Sequence, residues 1–253
     1  MKVTATGDRL NILITCAYLP HHDWMAFASW YSIYRNLPDA EVAILCARGM
    51  QSDRIPFNWP YRCDIRYFQH ENIGKHYSCP ALNKPYAACI ALTQDLIREP
   101  FFVIDCDVMA LRSISSDILE QLNDPDITFG SNDSIWYFQS QGYERFIEVL
   151  NTRDIESQSG SDNQKILDMM TKVMGEPHHI TNLCSASDDN EIAVFSHYNK
   201  CGRFDKNEWI KSKKSQSPFM YASQLGKDVH MTADEQKIIK LWSQMRSVYD
   251  MVK

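Results

Sequence analysis

Short apolar runs alternate with longer segments of helical period through the first 105 residues, and that alternation leaves the chain few folds to adopt. Residues 12–17 (ILITCA) form an apolar run ahead of turn-forming Pro20, the pattern of a buried strand entering a loop. From Asp23 onward, Met25, Phe27, Ala28, Trp30, Tyr31, Ile33 and Tyr34 recur at roughly helical spacing, with Asp23 as cap and Pro38 closing the connection. Residues 41–47 (EVAILCA) predict a second buried strand, and 63–68 (CDIRYF) a third of alternating character. A second helix is expected over 80–98, with Pro85 tolerated in its first turns, followed by a buried strand at 101–104 that stops at Asp105, Cys106 and Asp107. The class is α/β: a mixed, mainly parallel sheet flanked by helices, which takes ligands at the carboxyl ends of its strands.

The pattern loosens further on. Residues 126–130 read as a strand, 143–150 and 162–173 as helices, and 191–196 as a late strand ending at His197. A polar stretch with Lys206, Lys211, Lys213 and Lys214 precedes an amphipathic helix from about Thr232. This divides the 253 residues into a core domain, 1–205, and a small helical C-terminal extension, 206–253. With 44% hydrophobic and 23% charged residues, neither a disordered nor a fibrous chain is credible. No apolar run approaches the roughly 18 residues that span a bilayer, so no transmembrane segment is expected. The N-terminus has no long uncharged run of a signal peptide, which makes the cytoplasm the expected compartment. A net charge of −6 disfavours polyanions as general partners. Eight cysteines form no CxxC pair and several sit in apolar runs, so reduced thiols are expected, with neither zinc nor disulfides.

The most informative constellation is FFVIDCDVMAL, residues 101–111. Asp105 emerges from a buried strand, and Asp107 reaches the same small volume if the chain bends at Cys106. Two hard oxygen ligands so placed suit Mg²⁺ or Mn²⁺ that is also held by phosphate oxygens. The plainer alternative is a strand-terminating turn, a place where Asp is common.

This DxD, at the end of a strand about 90 residues after the opening one and preceded by a helix carrying Lys84 in NKPYAACIAL, resembles the GT-A nucleotide-sugar glycosyltransferases. SGSDNQKILDMM, residues 159–170, is similar to the acidic-amide element of the glycogenin-like and lipooligosaccharide-galactosyltransferase-like retaining enzymes. AVFSHYNKCGR, residues 193–203, is similar to their final strand, with a metal-binding histidine and a cation six residues on, the spacing of His197 and Arg203. Asn182, in PHHITNLCSA, stands at the family's amide position.

The resemblance implies a GT-A, Rossmann-like fold over roughly residues 10–205 and a metal-dependent transfer, with retention, from a nucleotide diphosphate sugar, most simply a uridine diphosphate sugar. Asp105, Asp107 and His197 then hold Mn²⁺ or Mg²⁺, and Lys84 joins the donor-binding residues. Arg203 or Lys200 meets the diphosphate; here Arg203 is followed by Phe204 and Asp205, where the family has lysine in a proline-tryptophan context. Asp162, with Asn163 or Gln164, faces the sugar. The chemistry asks for the same roles: negative charge grows on the leaving phosphate oxygen, and a divalent ion and a cation aimed there favour the transition state.

Tyr18 either stacks on the nucleotide base or ends its strand. His21, His22 and Asp23 touch the nucleotide or form a solvated turn and cap. Asn132 and Asp133 reach sugar hydroxyls or make a turn. His178 and His179 are expected in a loop, and Trp24, Trp30, Tyr31 and Tyr34 in the core. The acceptor is a hydroxyl, of a glycan or, if the lysine cluster docks a polyanion, of a hydroxymethylated DNA base. A nucleotidyltransferase and a non-catalytic nucleotide-sugar binding module are the two other classes the residues allow, although the first loop, YLPHHDW, lacks a nucleotidyltransferase's Gly-rich or basic character.

Overall fold

Strand β1 (Asn11–Ala17) is the hub of the main sheet, paired in parallel with β2 (Glu41–Ala47) on one side and β4 (Phe101–Asp105) on the other. The computed structural model describes residues 10–17, 20–47, 66–70, 83–124, 129–132, 135–139, 168, 171–172, 175–185, 193–197 and 240. Beyond β2 lies β3 (Arg66–His70), also parallel. Beyond β4 come two antiparallel strands, β7 (Ile135–Phe138) and then β6 (Phe129–Asn132), for the order β3-β2-β1-β4-β7-β6. A second sheet, β5-β9-β8, joins β5 (Val108–Ala110), β9 (Phe195–His197) and β8 (Cys184–Ser185). The mixed, mainly parallel sheet with flanking helices is the class the sequence predicts.

Ile12, Leu13 and Ile14 of β1 and all of Phe101 to Ile104 in β4 are essentially inaccessible, so these strands read as continuous apolar runs rather than alternating ones. One face (Ile12, Ile14, Val42, Ile44, Phe102, Ile104) packs with Ala26, Trp30 and Ile33 of helix α1 (Pro20–Asn36) and with β5. The other face carries Leu13, Ala43 and Val103, and helix α2 (Asn83–Thr93) contacts β1, β2 and β4 with buried Ala87, Ala88 and Ala91 on board. Cross-strand aromatic pairs lock the β4–β7 register: Phe101 on Phe138 at 5.1 Å and Phe102 on Tyr137 at 4.8 Å between centroids. The Tyr137 hydroxyl donates to the Leu122 carbonyl of helix α3 (Ser116–Leu122), 3.0 Å away.

Several local expectations are corrected. Helix α1 begins at Pro20 rather than being capped at Asp23; proline suits a first helical position because its missing N–H has no helical partner there anyway. His21, His22 and Asp23 therefore lie on the helix. The third strand runs to His70, with 63–65 outside the described residues. Helix α2 ends at Thr93, not near Arg98. Leu96 N–H donates to Ala91 O and Asp95 N–H to Leu92 O, and Asp95 has φ 52°: a Schellman closure with aspartate where glycine is usual. The strand expected over 126–130 is Phe129–Asn132, with 125–128 outside the described residues, and β7 is an additional strand. Trp30 and Tyr31 are buried as expected, whereas Tyr34 is 43% exposed and stacks on Trp30. Asp168, Thr171 and Lys172 are helical within the helix expected over 162–173. Of the extension 206–253 only Lys240 is described.

Candidate functional site

The order β3-β2-β1-β4 places a topological switch at β1, since the chain moves outward to β2 and β3 on one side and returns to β4 on the other. In open α/β sheets ligands usually bind beside such a switch, outside the carboxyl ends of the strands, here those of β1 and β4. Asp105 is the last residue of β4 and pairs with Thr15 of β1. Cys106 N–H donates to Thr15 O at 3.1 Å, and its side chain, 5% exposed, is tucked into the core. The chain turns over Cys106 and Asp107 into β5. The Asp105 side chain is 35% exposed, while Asp107 is buried.

Lys84 reaches this edge from the first turn of α2. Its Nζ lies 3.0 Å from Asp105 Oδ1 and 4.6 Å from the centroid of the Trp136 ring. The sheet explains the meeting. Val103 and Asp105 share a face by the period of two, Trp136 pairs with Val103 across β4–β7, and α2 covers that face. Trp136 is a site neighbour absent from the sequence expectations: its strand, IWYF, is a buried run like FFVI, but its place beside Lys84 depends on the antiparallel register against Val103.

His197 ends β9 and pairs with Val108, the residue after Asp107. Leu111 N–H donates to Val194 O at 2.7 Å, which makes the His197–Val108 position one of the closely spaced pairs of the antiparallel pattern, with Cα atoms about 4.5 Å apart. By the same alternation the N–H and C=O of Ala110 face away from β9, and α1 takes both. Ala110 N–H donates to Ser32 Oγ, and Asn36 Nδ2 donates to Ala110 O, each at 2.9 Å. Arg112 Nη1 donates to Ala193 O. Asn182 adopts φ 61°, a left-handed conformation that asparagine tolerates, and its carbonyl accepts from Val194 N–H, which gives a backbone reason for asparagine there.

Among the described side chains no group of three His, Cys, Asp or Glu is assembled as a metal cage; the His197 side chain is not one of them. Tyr18, Asp162, Asn163, Gln164, Lys200 and Arg203 lie outside the described residues, as does Asp133. Asn132 ends β6, paired with Ile135. His178 and His179 are exposed, and neither Cys106 nor Cys184 is in a disulfide. Among the described residues no helix is long and apolar enough to cross a membrane.

No protein-family model matches the sequence, and no curated protein matches it. Solved structures do. The apo form of the glycosyltransferase GlyE of Streptococcus pneumoniae TIGR4 superposes with TM-score 0.51 at 11% identity, covering 94% of this chain and 64% of its own. An active-site mutant of LgtC superposes with TM-score 0.51 at 10% identity, covering 93% of this chain and 96% of its own. This chain thus spans less than two thirds of GlyE. At such identities the likeness is one of fold: the chain has the GT-A, Rossmann-like fold of these glycosyltransferases.

Proposed function

We propose that the chain is a metal-dependent glycosyltransferase that moves a sugar from a nucleotide diphosphate sugar, most simply a uridine diphosphate sugar, to a hydroxyl with retention at the anomeric carbon. One observation carries this reading. The DxD turn lies at the carboxyl edge of the switch strand, Lys84 contacts its first carboxylate, and the strand ending in His197 pairs with the residue just after its second.

The donor set fits a hard divalent ion. Asp105 and Asp107 offer hard carboxylate oxygens, and the Asp105 side chain is partly exposed. Asp105, Asp107 and His197 are the residues to hold Mn²⁺ or Mg²⁺, which when bound supplies charge stabilisation for the leaving diphosphate. Lys84 brings a cation to the same edge. Arg203 or Lys200, shortly after β9 in the chain, neutralises the diphosphate, and a guanidinium grips its oxygens in pairs. Asp162, with Asn163 or Gln164, orients the sugar, and Tyr18, the residue after β1, stacks on the base.

The transferase unit is residues 1–205, with 206–253 as its extension, and the protein works in the cytoplasm. The acceptor is a glycan hydroxyl, or a hydroxymethylated DNA base if the lysine cluster docks a polyanion. Thermal shift against a panel of nucleotide sugars, with and without Mn²⁺, tests the donor assignment, since selective binding raises stability by mass action. A Mn²⁺-dependent rise for one sugar nucleotide, with slow release of free sugar, is the expected result. Release of pyrophosphate instead identifies a nucleotidyltransferase, and binding without turnover a binding module.

A further inference from the structure

Lys84 is held between two groups of different kind, the Asp105 carboxylate at 3.0 Å and the Trp136 ring face at 4.6 Å. Its side chain is 11% exposed and that of Asp105 35%, so the lysine is the more deeply buried partner. A desolvated ammonium needs fixed counter-groups. The carboxylate sets a distance, and an indole face adds a direction, because it attracts a cation along its normal, the most strongly of the aromatic rings, without adding a second anion. Trp136 is itself 6% exposed, and its backbone is paired on both sides, with Val103 of β4 and Ser131 of β6.

We infer that Trp136 is a positioning residue for donor binding: its ring face holds the Lys84 ammonium at the outer edge of Asp105, turned toward the diphosphate of the incoming sugar nucleotide. The inference rests on the transferase reading and adds to it a residue that acts through Lys84 rather than on the donor. With an aliphatic side chain at 136 the ammonium keeps its attraction to Asp105 but loses the attraction of the ring face.

The test has two readouts. The first is the NMR shift of the Lys84 ε-CH₂ protons in the metal-free protein, which the ring current of Trp136 moves upfield of the other lysines. The second is the binding isotherm of UDP with Mn²⁺ for wild type, W136F, W136L, K84M and the K84M/W136L double variant. Expected are an upfield Lys84 shift retained in W136F and lost in W136L, and UDP binding about tenfold weaker in W136L with W136F near wild type. On the K84M background, W136L should add nothing, because its effect passes through the missing ammonium. A merely structural role would weaken binding equally with and without Lys84, and that additive result overturns the proposal. W136M takes the same place in the cycle should W136L not fold, and an ordinary wild-type Lys84 shift overturns the proposal with no variant at all. Wild type that binds neither UDP nor GDP in Mn²⁺ overturns the transferase reading and this inference with it, whereas binding with an additive cycle sinks the inference alone.

Discussion

His197 lies opposite Val108 in the antiparallel β5–β9 pair, so the late strand ends beside the turn that leaves β4. Residues about 90 positions apart in the chain thereby share one corner. The second sheet is fastened to α1 through the backbone of Ala110, whose free edge would otherwise be a buried, unpaired amide.

That fastening is testable. Ser32→Ala removes the acceptor of the buried Ala110 N–H and should cost roughly 1–3 kcal/mol in urea unfolding. Asn36→Ala, which leaves the Ala110 carbonyl without this donor, should cost about 1 kcal/mol. Because β5 follows directly on Asp107, both variants should also bind UDP with Mn²⁺ more weakly at temperatures where they remain folded. Unchanged unfolding midpoints would show that β5 is held by other means.

Asp105→Asn keeps the shape at the strand end but removes the charge that Lys84 contacts and that the proposed metal would need. Transfer should fall by about a hundredfold or more with an unchanged circular dichroism spectrum. Asp107→Asn should behave alike, and EDTA should abolish wild-type turnover until Mn²⁺ is restored. Near-normal rates for Asp105→Asn, or activity undiminished in EDTA, would remove the metal from the reaction.

Burial pushes the Tyr137 phenol well above its ordinary value of about 10. The unfolded chain therefore gives up this proton at lower pH than the folded one. Stability from the neutral phenol is complete below about pH 10 and is lost as pH rises beyond it. Tyr137→Phe should be less stable near neutrality by about 1 kcal/mol, having lost the bond to Leu122 O, and should show a shallower alkaline decline. Parallel alkaline limbs for the two proteins would place the alkaline loss on other groups.

The strands at the centre of the sheet were legible because burial on both faces writes them as unbroken apolar runs: ILITCA, EVAILCA and FFVI need no partner to be recognised. The DxD at the end of the third was legible for the same reason, since a run of buried residues that stops at Asp105 marks a strand end. The helix expected from the sequence runs past the end of α2 because the stop is written in Asp95, in a left-handed conformation that glycine usually takes. Strand β7, IWYF, is as apolar a run as FFVI, but its place in the sheet is defined by whom it pairs with. Trp136 came to the site with it, through a register against Val103 that no local pattern encodes.

Asp162 is assigned to the anomeric centre by resemblance, and kinetics can separate that role from donor binding. Asp162→Ala should lower kcat by more than it raises KM, because a group facing the reacting carbon acts mainly in the transition state. A raised KM with kcat intact would move Asp162 to donor binding. The anomeric configuration of the product, read by NMR against that of the donor, decides retention independently.

The step on which the transferase reading depends most is His197. Its backbone stands one residue beyond Asp107 across the sheet, in a short strand whose neighbour Phe195 is fully buried. If the imidazole completes the metal site, His197→Ala should weaken Mn²⁺-supported UDP binding at least about tenfold, while the metal-free melting temperature changes little, since a ligand facing an open site contributes little packing. If it is a packed histidine instead, the same change leaves a cavity or an unpaired polar group and costs roughly 1–3 kcal/mol whether or not metal is present. The two variables move in opposite combinations, so one pair of measurements decides between them. Wild-type UDP affinity together with a clearly lowered metal-free melting temperature would strike His197 from the site and leave Asp105 and Asp107, with Lys84 beside them, as the chain's own evidence for a sugar-nucleotide enzyme.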